Sequence, residues 1–546
     1  MLNSLIYNYS PGSKFGLTSK ILKSSLMFLF CLMLVFGFTI APIQAATYTR
    51  YEAHSAEGKA DLASLQTALA QMRALGCQDP ISWYYQGAVH WIPTAQGSIT
   101  GLQEDNPLCP YYSGFANQDE VVAKLLASWD NCTHAPNQAG QSSMVHFLPW
   151  HRLFIYHFEK IVRDLSGDDN FALPYWGYIS LFDDALPDAE LLTMPVELRD
   201  SGSSLYEAAR LASLQAGEPI NETLAQQFLL DAVEGLRRQS VYLDFDRQID
   251  GAPHGFMHSY IGGAYNGETF FNSIYNRDNE NGLMANVPSA GFDPVFWLHH
   301  SNIDRLWAQW TNETGVLVTE QELAQVSWPY QFFEPDGTIK GYTMPEVSDI
   351  TYDLDYNYDD VPTLKPESIL TPPSNRSRLI AQAQKTLLGV QQVQETVDAD
   401  HLLKQTIPLG TNLVNRIASF RSSNNARVAP FSQPHYTLEV KVTYTGRPTG
   451  IYEVYLNLPD NENTMRTENA MKDIKTYFAG GISFFVLESD RPTTKTFQFD
   501  VTNELLLQSQ SRRGIDPNKV SISIRKQGGS EDDDVKIESI ALFLQE

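Results

Sequence analysis

A chain of 546 residues, 43% hydrophobic and 12% aromatic, is long enough to bury a large core and to divide into two or three folded units. Its formal net charge of −25 would be repelled by nucleic acid and by anionic membrane surfaces, so neither is an expected partner; solubility is the plain use of such a charge.

The first 45 residues stand apart. Lys14, Lys20 and Lys23 precede an apolar run from Ser25 to Ile40, and Pro42-Ile-Gln-Ala-Ala46 ends in the small residues of a signal-peptidase site. An uncleaved anchor is the alternative, but the run is short for a bilayer span and no other stretch could cross one. The reading is a signal peptide over 1–45 and a secreted or periplasmic protein, with no membrane contact after processing. Removal of three lysines and no acidic residue takes the charge from −25 to −28. Cys31 leaves with the signal, and Cys77, Cys109 and Cys132 remain, an odd count that asks for an explanation.

Residues Tyr48 to Leu75 read as an extended entry and then a helix, on the spacing of Leu62, Leu65, Leu69 and Met72. Asp79-Pro80 breaks it, and Ser82 to His90 forms a second short helix. A lone histidine there would more often be structural. More histidines follow in Asn131-Cys-Thr-His134 and in the segment Val145 to Glu159, which holds His146, His151 and His157. Asp183 to Asp250 is helical in pattern, notably Glu222 to Arg238. In His254-Gly-Phe-Met-His258 two imidazoles four positions apart share a helix face, and the stretch Asp293 to Trp310 carries His299-His300 on a later helix. Three converging imidazoles without thiolate or bidentate carboxylate suit copper or zinc and leave a coordination position open. Two such sets suggest a paired-metal centre.

Phe332 to Gly337 contains a turn. Pro362 to Pro430 is polar, includes Pro372-Pro373 and a possible helix from Arg378 to Gln394, and reads as a protease-sensitive linker. From His435 the period changes to two, in Tyr436–Tyr444, Ile451–Leu458, Thr496–Val501, Val520–Arg525 and Lys536–Phe543, which makes an antiparallel sandwich. The fold class is α+β: a mainly α-helical bundle over 46–361, the linker over 362–430, and a C-terminal antiparallel β-sandwich over 431–546.

Phe147-Leu-Pro-Trp-His-Arg152 followed by Phe158-Glu159, and then Asp293-Pro-Val-Phe-Trp-Leu-His-His with Asp304-Arg305-Leu-Trp, resemble the CuA and CuB signatures of the tyrosinase, polyphenol oxidase and haemocyanin family, over roughly Tyr48 to Tyr358. The resemblance implies a helical bundle holding two copper ions, CuA and CuB, that bind dioxygen as co-substrate and oxidise phenols. It assigns His90, His134 and His151 to CuA, and His254, His258 and His300 to CuB. The second CuA ligand departs from the family spacing, which falls on Ser142. His134, seventeen positions before His151, is favoured on the argument that a loop absorbs the insertion Ala135 to Ser143; His146, five before, is the alternative. Cys132-Thr-His134 resembles the Cys-x-His of fungal members, whose sulfur is bonded to the histidine ring as a thioether; a buried free thiol is the alternative. The economical partner for Cys77 is then Cys109.

Glu159 shares a face with His151 and reads as a structural carboxylate, with Arg152 as its ion-pair or carbonyl-binding partner, while His157 lies outside the site. At CuB, relatives that hydroxylate monophenols often carry Asn after the first histidine, where this chain has Gly255. Asp250 sits where plant relatives carry Glu with one methylene more. Diphenol oxidation therefore survives better than monophenol hydroxylation. His299 points elsewhere, towards the substrate mouth. Asp304 and Arg305 serve packing. Asp349 to Tyr358 resembles the segment closing plant catalytic domains, and the elements Tyr452-Glu-Val-Tyr-Leu-Asn and Phe478-Ala-Gly-Gly resemble the plant C-terminal domain that covers the copper site in a latent enzyme. The resemblance as a whole implies a latent oxidase turning catechols into o-quinones, with small phenols as its partners. A haemocyanin-like dioxygen carrier is the alternative, and a binuclear zinc hydrolase a third reading.

Overall fold

The computed structural model describes residues 47–90, 147–239, 241–274, 276–316, 331–342, 347, 350–351, 353–362, 385–397, 402–417, 435–459, 476–485, 489–510, 515–529 and 533–545. The expected signal peptide, and with it the export reading, lies outside them. Among the described residues no helix is long and apolar enough to cross a membrane.

The helical part opens with β1 (Tyr48–Arg50) and α1 (Ala56–Ala74). Ser55 caps α1, its hydroxyl accepting the Gly58 amide at 2.9 Å. Leu62, Leu65, Leu69 and Met72 are buried, as their spacing predicts. Then come α2 (Trp83–His90), α3 (Phe147–Ser166), α4 (Thr223–Arg238), α5 (Tyr242–Ile249) and α6 (Phe256–Ile261); a π-helical turn at 250–255 joins the last two. Helix α7 (Pro294–Thr314) starts on Asp293, which accepts the Val295 amide, with Pro294 at the first helical position where no amide is needed. Helix α3 packs against α1 and α7.

A buried ion network ties the ends of this unit together. Strand β1 pairs in parallel with β2 (Tyr356–Tyr358). Arg50 reaches Glu159 at 2.8 Å and Asp304 at 3.2 Å, and Arg152 reaches Asp304 at 2.6 Å. The hydroxyls of Tyr356 and Tyr358 also donate to Asp304. Burial alone would raise the Asp304 carboxyl, but Arg152 and Arg50 hold it below the usual carboxylate range. The expected ion pair of Glu159 with Arg152 is thus corrected: Glu159 is taken by Arg50 and Arg163, and Arg152 by Asp304, while Arg152 also donates to the Val347 carbonyl at 3.1 Å. Sequence proximity on one helix suggested the wrong pair because the right ones cross the bundle.

The C-terminal part has eight described strands: β3 (Lys385–Thr396), β4 (Leu403–Pro408), β5 (His435–Gly446), β6 (Ile451–Leu456), β7 (Phe478–Ser483), β8 (Ser489–Asp500), β9 (Lys519–Gln527) and β10 (Asp534–Gln545), with α8 (Thr502–Gln510) after β8. They form two antiparallel sheets, ordered β7-β6-β9-β4 and β8-β5-β10-β3. The stretch read as a linker therefore supplies two strands, and the helix expected from Arg378 to Gln394 is corrected to strand at Lys385–Thr396. Its leucine, glutamine and lysine content favours helix locally, but pairing with β10 decides the outcome.

All six residues of β6 are buried. Successive side chains alternate faces, so Tyr452, Val454 and Leu456 fill the sandwich core while Ile451 and Tyr455, with Phe478 and Phe485, join the core of the helical part.

Candidate metal centre

His90 ends α2, His151 lies in the first turns of α3, His254 and His258 flank the junction of the π-turn with α6, and His300 lies on α7. All five are buried. Four of them aim Nδ1 at a backbone carbonyl: His90 at Val287 (3.0 Å), His151 at Phe147 (2.8 Å), His254 at Asp250 (3.1 Å) and His258 at Met284 (2.8 Å). A carbonyl can only accept, so each Nδ1 carries the proton and each Nε2 presents its lone pair.

The rings converge. One nitrogen from each of His254, His258, His299 and His300 lies within 4.8 Å of the others. The Nε2 atoms of His258 and His300 are 3.4 Å apart, the separation given by two nitrogens bound at about 2.0–2.1 Å and near-tetrahedral angles to one ion, about 3.4 Å. The His151 ring stacks on His300, centroids 4.4 Å apart and 7° from parallel, and His90 lies 5.7 Å from His151. Burial pushes His90 down to about 3, and burial with neighbouring imidazoles pushes His258 and His300 well below the ordinary histidine value. These three rings stay neutral, the form that binds a metal.

Phe485, just past β7, stacks on His258 with centroids 3.7 Å apart and meets His254 edge-on at 5.4 Å. Its neighbour Phe484 turns the other way, onto Tyr444 and Tyr452 in the sandwich. Asp250 lies behind His254: Oδ1 is 3.3 Å from Nδ1 and Oδ2 is 3.3 Å from Lys495 Nζ of β8. A side chain at Gly255 would press on the Asp250 carbonyl at 3.1 Å and on Ser483 Oγ at 3.3 Å.

The common central domain of tyrosinase matches residues 81–195 and 186–313, the stretch that holds these histidines. Its helical core is a tyrosinase-family domain. Among curated tyrosinase-family proteins, Tyrosinase HcTyr1 of Hahella sp. (strain CCB-MM4) is 30% identical over 257 residues, 45% of this chain and 50% of that protein. The chloroplastic Polyphenol oxidase B of Solanum lycopersicum is 24% identical over 496 residues, 81% of this chain and 72% of that one, and Aureusidin synthase of Antirrhinum majus is 27% identical over 52% and 46%. The chain thus spans about half the length of several relatives it matches. Two solved structures share the fold across both parts: latent apple tyrosinase, TM-score 0.57 at 20% identity, covering 92% of this chain and 98% of that one, and latent aurone synthase, 0.58 at 19%, covering 92% and 90%.

Within the tyrosinase frame, the structure brings together His90, His151, His254, His258 and His300, while His134, His146 and Cys132 lie outside the described residues. His157 stands apart from the cluster, held by the Phe333 carbonyl and the Tyr342 hydroxyl. His299 is buried beside the cluster, with Nδ1 2.9 Å from the Tyr178 hydroxyl. Phe485, Lys495 and Tyr178 were not singled out from sequence. The only signal for Phe485 was a pair of phenylalanines leaving a strand, which alternation must split between two faces.

Proposed function

We propose that the chain is a latent type 3 copper oxidase that converts o-diphenols to o-quinones with dioxygen, with weaker monophenol hydroxylation. The observation that carries it is the convergence of buried imidazoles whose Nδ1 atoms face backbone carbonyls. His90, His134 and His151 would hold one copper, and His254, His258 and His300 the other. When bound, the copper pair supplies two one-electron centres, so that a catechol gives up two electrons to dioxygen without releasing radicals.

The chain's own residues then have definite tasks. The carbonyls of Val287, Phe147, Asp250 and Met284 keep each proton on Nδ1 and turn Nε2 inward. Phe147, 4.7 Å from His151 and 4.6 Å from His254, and Phe296, 4.2 Å from His300, exclude water around the rings. Phe485 occupies the face of His258 where a flat phenol would stack, which is the basis of latency in this reading. Gly255 offers no side chain to hold a water near the substrate, and the Asp250 carboxylate is engaged by Lys495, so a catechol, more acidic than a monophenol, is the favoured substrate. A thioether from Cys132 to His134 and a Cys77–Cys109 disulfide complete the reading, as do export through the N-terminal segment and, for a chain of this charge, the absence of nucleic-acid partners.

The test is metal analysis and paired assays on the copper-loaded full chain and its Phe485→Ala variant. Two coppers per chain, and catechol turnover that rises in the variant above monophenol turnover, are expected. Equal turnover of both substrates would refute the role given to Gly255, and reversible dioxygen-linked absorbance without quinone would assign the chain as a carrier.

A further inference from the structure

Four imidazoles surround one point, yet an ion with an open position for substrate takes three. The ring that is not a ligand is identified by the group its far nitrogen meets. His254 and His258 face carbonyls, which force Nδ1–H. His299 faces a hydroxyl, 2.9 Å away on Tyr178, and a hydroxyl can donate. Tyr178 is buried, and a buried phenolic O–H must itself find an acceptor; among the described residues that acceptor is His299 Nδ1, so the hydroxyl donates and Nδ1 accepts.

We propose that His299 carries its proton on Nε2 and presents it into the metal pocket as a hydrogen-bond donor, with Tyr178 as the positioning residue that fixes this tautomer. His299 Nε2 is buried and meets no acceptor among the described residues, so its partner is an oxygen atom of the molecule that enters the pocket, a phenolate or dioxygen. The inference rests on the copper reading for that partner, but the tautomer itself needs no metal. It also explains how adjacent histidines on one helix split their work: His300 supplies a lone pair, His299 a proton.

The test uses the metal-free full chain with nitrogen-15 labelled histidine. Long-range proton–nitrogen correlation separates Nε2–H rings from Nδ1–H rings, and the His299→Gln variant assigns the signal that disappears. His299 is expected as an Nε2–H ring while His90, His151, His254 and His258 are Nδ1–H rings; a His299 signal protonated at Nδ1 overturns the proposal. Tyr178→Phe should move the His299 resonances and leave those of His258 in place, whereas unmoved His299 resonances count against the role of Tyr178. On copper loading, His299→Gln should keep the native stoichiometry and His258→Gln should lose one ion; a His299→Gln chain one copper short overturns the donor role. If the native chain binds no copper, the oxidase reading fails while the nitrogen spectra still decide the tautomer.

Discussion

Histidine does two jobs in this chain, and the partner of each ring tells them apart. His157, buried with both nitrogens satisfied, is pulled down to about 3 by burial and then by Lys160. In the unfolded chain its value is about 6.5. Unfolding therefore takes up a proton between those limits, so the ring's contribution to stability is full above about 6.5 and is lost as pH falls towards 3, by up to about 1.4 kcal/mol per pH unit. Chemical denaturation from pH 7 to 4 should show a shallower pH slope in His157→Gln than in the native chain; identical slopes would refute this. Arg152 makes a second residue-scale case. Arg152→Met strands Asp304 with its charge half-compensated, and a loss of about 3–5 kcal/mol is expected by denaturant titration. The five histidines now found together were legible from four-residue spacing and flanking motifs, because helix geometry is local. The pairing of Arg152 with Asp304, and the hydroxyl behind His299, were not, because both partners come from distant segments.

At the scale of elements, the helices with strong apolar periodicity and the alternating strands from His435 onward were legible, since period is a direct result of backbone geometry. Strand β3 was not. It runs along a sheet edge with one fully buried residue, Leu388, before Val397, and such a strand has almost no alternation to read. The contact between α4 and β7 carries its own prediction. A Cβ at Gly481 would sit 1.5 Å from the Phe228 ring, and that ring stacks on Phe256 of α6. Gly481→Ala should therefore push the sheet off the helices and make the metal pocket accessible, seen as faster cleavage in limited proteolysis and as binding of a catechol-like inhibitor that the native chain excludes. Unchanged protection and no binding would mean that the interface yields elsewhere.

Taken whole, the molecule joins two cores, with β6 contributing to both. Phe228 against Phe478, Arg238 against Asp500 and Lys495 against Asp250 bridge the parts around Phe485. Removing the Phe485 ring costs the docked state on the order of 3 kcal/mol, so Phe485→Ala should lower the denaturant midpoint of the chain while raising catechol turnover. A variant that loses stability without gaining turnover would show that other residues still close the pocket. If the chain is latent as proposed, the double-sided burial of β6 also governs the fate of the sandwich after activation. Once parted from the helices, Ile451, Tyr455, Phe478 and Phe485 would form a bare oily stripe in water, and such stripes stick to one another. A freed C-terminal piece would clump or be degraded before it could re-dock, which would make switching on a one-way event.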